Sequence, residues 1–92
     1  MGAGQHSCDS AGPHSVTGGS KVRFKFVNET QQNLRIIWLN LTGARVNESP
    51  LPPGYMYTVN TFIGDDWMVA DNSSDCLAIF SIKGAGSVTV FA

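Results

Sequence analysis

The sequence predicts a small all-β sandwich, on three observations. No segment sustains the apolar spacing of a helix over about ten residues. About six short stretches instead show the β-branched and aromatic content of strands, with turn signals roughly every 8–12 residues. The chain has 92 residues, enough for one domain and no more.

Residues 1–20 (MGAGQHSCDSAGPHSVTGGS) are rich in glycine, serine and histidine and lack a hydrophobic period. They read as a flexible tail or linker, with the β-domain occupying 21–92. Residues 21–27 (KVRFKFV) alternate charge with Val22, Phe24 and Phe26, the pattern of a strand with one wet face. A polar turn at 28–33 (NETQQN) leads to a second strand at 34–39 (LRIIWL), more apolar and so more deeply buried. After a turn at 40–43 (NLTG), a loop runs through 50–54 (PLPPG), where prolines bar a helix and withhold ladder donors. Strands follow at 55–62 (YMYTVNTF) and, past a tight turn at 63–65, at 67–70 (WMVA). The loop 71–75 (DNSSD) precedes 77–82 (LAIFSI), which a glycine-rich turn at 84–86 joins to 87–91 (SVTVF) as a closing hairpin.

Composition excludes several function classes. Charged residues make up 14% of the chain, the net charge is −1, and the six basic residues are scattered, which argues against nucleic acid. No run approaches the roughly 18 apolar residues of a membrane span, and the N-terminus lacks the basic segment and apolar core of a signal peptide. Cys8 and Cys76 lie far apart in sequence and form either a disulfide in an oxidising compartment or two free thiols. Without a CxxC pair, a zinc site would have to recruit His6 and His14. No cofactor is implied.

Catalytic sets are equally poor. Both histidines lie in the leader, so a Ser-His-Asp or Cys-His pair would need an ordered N-terminus. Asp65 and Asp66 project to opposite sides of a strand, the wrong arrangement for a paired acid and base, and read as turn caps. Asp71 and Asp75 flank Asn72 without EF-hand spacing, so Asx turns explain them better than calcium. No glycine-rich loop precedes a helix to cradle a phosphate. The expectation is a monomeric binding module and not an enzyme.

Four of the six asparagines, Asn28, Asn40, Asn47 and Asn72, begin N-x-S/T triplets in predicted turns or loops. The proline after Ser49 disfavours Asn47, leaving Asn28, Asn40 and Asn72 as candidate glycan acceptors and pointing toward a secreted or surface protein. Trp38, Trp67, Tyr55, Tyr57 and Phe62 sit at the ends of three neighbouring strands, beside the proline-rich loop. Tryptophan and tyrosine pair a large apolar face with a polar tip, which suits them to grip a peptide. Trp38 also fits the core, and Trp67, behind two aspartates, fits partial exposure.

Trp38-Leu39-Asn40, Gly43, Leu51-Pro52-Pro53-Gly54, Gly64 and Trp67 occur without a gap over about 30 residues at a spacing that resembles the von Hippel–Lindau tumour-suppressor β-domain family. The strand at 21–27 and its Asn28-Glu29-Thr30 turn resemble that family's first strand and turn. The resemblance covers residues 20–92 and implies a seven-stranded, prealbumin-like β-sandwich. In that family an extended peptide adds along an exposed strand edge, and a pocket of two tryptophans, a tyrosine, a serine and a histidine captures a 4-hydroxyproline. Carried over by register, the tryptophans fall on Trp38 and Trp67, the serine on Thr61, the histidine on Asp65 and the tyrosine on Glu48. Asn60 and Phe62 become the strand positions either side of Thr61. Asp65 still accepts a hydrogen bond from a hydroxyl and Thr61 still donates one, whereas an anionic Glu48 facing the pocket costs desolvation.

The resemblance therefore implies a non-catalytic module that recognises an extended, 4-hydroxyproline-containing peptide or protein ligand by strand addition. No helical segment is present for the family's elongin-binding domain, so a ubiquitin-ligase receptor role is not expected. The rival reading is a structural or accessory module of a larger secreted or surface protein, with a degenerate pocket.

Overall fold

The computed structural model describes residues 3–8, 14–16 and 18–91. Eight strands follow in chain order: β1 (Ala3–His6), β2 (Lys21–Glu29), β3 (Leu34–Leu39), β4 (Arg45–Leu51), β5 (Met56–Phe62), β6 (Asp66–Asp71), β7 (Cys76–Ile82) and β8 (Gly86–Phe91). They form a five-stranded sheet in the order β1-β7-β6-β3-β4 and a three-stranded sheet in the order β5-β2-β8. The family resemblance implies seven strands; the described residues form eight, β1 being contributed by the leader.

The core follows from strand parity. Phe24 and Phe26, two apart on β2, face inward and meet Leu34, Ile36, Val69, Phe80 and Ile82 from the other sheet. Their rings are 5.2 Å apart, and Phe26 lies 5.9 Å from Trp67, edge-on or tilted as aromatic pairs prefer. Each such side chain contributes about 1.5–3 kcal/mol on burial. Residues of opposite parity on the larger sheet, Ile37, Leu39, Met68, Ala70 and Ile79, form a second buried cluster.

The expectation of a flexible leader at 1–20 does not hold for its described residues; 1, 2, 9–13 and 17 lie outside them. β1 pairs antiparallel with β7, and Cys8 is bonded to Cys76 at a Cα separation of 5.9 Å. Ser15 is 1% exposed; its hydroxyl donates to the Leu39 carbonyl and accepts from the Asp66 amide at 2.9 Å. Sheet pairing and cross-linking order this segment, neither of which leaves a hydrophobic period to read.

Two further expectations change. Residues 45–51, of which the sequence places 50 and 51 in a loop and assigns 45–49 to no element, form edge strand β4, which tolerates Pro50 because an edge position need not donate on both sides. The closing hairpin does not form either. β7 stays in the larger sheet, while β8 crosses to the smaller one and runs parallel to β2. Val88 and Val90 thereby pack against the core.

Candidate functional site

The site lies where the free edges of β4 and β5 approach each other. Trp38 on β3 and Trp67 on β6 are register partners, so both leave the larger sheet on its inward face. With Asn47, Asn60, Phe62 and Asp65 they line a depression of about 240 Å³. A second depression, about 350 Å³, shares Trp38, Phe62 and Asp65 and adds Val16, Gly18, Gly19 and Leu41. Phe62 and Leu41 are about half exposed, and Trp67 is buried to 8%.

Thr61 stands behind this surface, fully buried on β5. Its hydroxyl accepts from Trp67 Nε1 at 2.9 Å and donates to Asp65 Oδ2 at 2.6 Å. The same Oδ2 accepts the Phe62 amide at 3.1 Å, closing the turn between β5 and β6. Asp65 Oδ1 makes no hydrogen bond among the described residues. A chain of bonds thus orients one tryptophan and one carboxylate and uses up the threonine's hydrogen. On the opposite wall, Trp38 Nε1 is buried without a partner among the described residues.

The turn that carries Asp65 is clasped from several directions. Gly64 N donates to the Ile82 carbonyl and Ile82 N to the Asp65 carbonyl, at 2.9 and 2.8 Å. From the leader, Val16 N reaches the Gly64 carbonyl at 3.0 Å, and the Ser20 carbonyl accepts from Ile63 N at 2.9 Å. Gly64 has φ +99°, a conformation that glycine adopts without strain.

Of the residues expected in the site, Trp38, Trp67, Asp65, Asn60 and Phe62 come together, and Thr61 supports them from within. Glu48 does not join them. It lies 3.8 Å from Arg35 in an ion pair, and Asn47 lines the depression in its place. The cause is local: Asn47 takes φ +56°, and the β3–β4 register shifts between Ile36 and Trp38, a bulge that redirects the strand's side chains. Asparagine's tolerance of that conformation was the one signal for this residue. Val16, Gly18 and Gly19 were missed because the leader has no strand pattern.

The structure also bears on the candidate glycan acceptors and on catalytic sets. Asn28 is fully buried; its Nδ2 donates to the carbonyls of Gln32 and Leu51, and its Oδ1 accepts from Thr30, so it is a structural residue and no glycan acceptor. Asn40 Oδ1 caps its own turn through Thr42 and Ala44, while Asn72 is exposed. His6, Ser81 and Asp66 do meet, across β1, β7 and β6. Ser81 Oγ donates to Asp66 Oδ1 at 2.6 Å, so His6 Nε2, 2.7 Å away, is left to donate to the hydroxyl. A general base needs the reverse order. Among the described residues no group of three or more metal-ligating side chains forms.

No curated protein matches the sequence. The family model of the VHL beta domain matches residues 14–81, a span that takes in Ser15 and the leader's clasp as well as β2 to β6 and nearly all of β7. Two facing sheets without a helix among the described residues, paired tryptophans at one open side and this match agree, and the chain belongs to the VHL beta domain family, whose role is substrate recognition.

Proposed function

We propose that this domain is a non-catalytic module that binds an extended peptide along the free edge of β5, with one peptide side chain in the depression between Trp38 and Trp67. The observation that carries this reading is the coincidence of an unpaired strand edge and an aromatic depression. β5 ends the three-stranded sheet, and its Asn60 and Phe62 line the cavity. An edge supplies backbone donors and acceptors, and a pocket at alternate positions supplies selectivity. The opposing edge, β4, carries Pro50 and the bulge at Asn47, devices that blunt pairing. β5 carries no proline and no charge.

Family likeness nominates 4-hydroxyproline as the captured residue, and Asp65 Oδ1 offers its hydroxyl an acceptor. A titration followed by amide and indole NMR, with proline and hydroxyproline forms of one extended peptide, tests the reading. The expected result is perturbation of the β5 amides together with the Trp38 and Trp67 indoles. Silence at all of them with either peptide would leave the rival role, a structural module of a larger secreted or surface protein, which the disulfide and the exposed Asn72 triplet favour.

A further inference from the structure

The two adjoining depressions are unevenly charged. Among the described residues their linings hold one ionisable side chain, Asp65, and no lysine, arginine or histidine. Asp65 is 7% exposed, its Oδ2 is taken by Thr61 and Phe62, and its Oδ1 is unbonded among the described residues. The one ion pair among those residues, Arg35 with Glu48, involves neither lining. The carboxylate has no countercharge among the described residues, and a cation beside its open Oδ1 gains a charge pair at a site where the surrounding side chains exclude much of the water. The surrounding surface adds to this: the faces of Trp38, Trp67 and Phe62 attract cations through their ring quadrupoles, most strongly where water is excluded.

A hydroxyl fits this chemistry less well. It is held best by one donor and one acceptor, but the Thr61 hydrogen is already committed to Asp65, so a hydroxyl on Oδ1 has to find its donor outside that network, at the buried Trp38 Nε1 or the exposed carboxamides of Asn47 and Asn60. Resting on the peptide-binding reading above, we infer that the pocket takes the alkylammonium head of a lysine side chain, methylated or unmodified, in preference to 4-hydroxyproline. The ammonium pairs with Asp65 Oδ1, and its methylene stem lies against Trp38 and Phe62. Lys21 and Arg23 are register partners of Phe62 and Asn60 but line neither depression. Their exposed charges are screened over about 10 Å at 0.1 M salt, while the Asp65 contact is short and shielded.

The test uses a short capped peptide of threonine and alanine with one variable central residue: lysine, trimethyl-lysine, acetyl-lysine or 4-hydroxyproline. Affinity is measured by titration calorimetry and binding position by NMR. The lysine and trimethyl-lysine peptides should bind at least about tenfold more tightly than the acetyl-lysine and hydroxyproline peptides, a desolvated cation–ring contact plus a charge pair being worth that much. Asp65→Asn, which keeps an oxygen for Thr61 and Phe62, should erase the preference while the β5 amides still respond. Tightest binding of the hydroxyproline peptide, or a preference that survives Asp65→Asn, overturns the inference. Equal perturbation of the β5 amides by all four peptides overturns it too and leaves the peptide-binding reading standing. No response at β5 to any of them overturns both.

Discussion

Thr61 shows how much one hydroxyl does here. It is fully buried, between a donor, Trp67 Nε1, and an acceptor, Asp65 Oδ2. Thr61→Val keeps the shape but leaves both neighbours short of a partner, and the cost of an unmet buried polar group is about 1–3 kcal/mol each. The expected outcome is a stability loss of about 2–3 kcal/mol in urea denaturation, with a shifted Trp67 indole resonance. A hydroxyl at position 61 was legible in the sequence. Its engagement was not, because Trp67 and Asp65 become its neighbours only once the turn after β5 has closed. Asn28 makes the same point: an asparagine that reads as a glycan acceptor is instead fully buried, its side chain donating two hydrogen bonds and accepting two.

Among the elements, the turn between β5 and β6 and the leader behind it act together. A Cβ on Gly19 would lie 1.7 Å from the Ile63 carbonyl oxygen, a backbone atom that cannot rotate away. Gly19→Ala therefore forces the leader off the turn and releases the bond between the Ser20 carbonyl and Ile63 N. We expect a loss of about 1–3 kcal/mol, the usual cost of overpacking, and amide shift changes concentrated at 63–65 in NMR spectra. Shift changes spread evenly over the sandwich would contradict this local account. Strands β2, β3, β5, β6 and β7 were readable because alternation or an apolar run is written locally. β4 was not, since Pro50 and the bulge at Asn47 break its period where an edge tolerates the break.

For the molecule as a whole, the disulfide is the largest single constraint. Cys8 and Cys76 close a loop of 68 positions, which in a chain-entropy account stabilises the fold by about 4 kcal/mol. Replacing both by serine should lower the denaturation free energy by about that amount, and reductant should reproduce the effect on the parent chain but not on the variant. Such a loss matters in so small a domain, whose net stability is typically about 5–15 kcal/mol. The sequence by itself determined the all-β class, most strand positions, the paired tryptophans and the family, because each is carried by short-range pattern or by motif spacing. Only the tertiary structure decided that β7 and β8 part into different sheets, that Cys8 bonds Cys76, that the leader clasps the Asp65 turn and that Glu48 faces away from the site. These are contacts between residues distant along the chain, or the outcome of a bulge set by strand pairing. Their energies exist only when the chain has folded, so no local pattern records them.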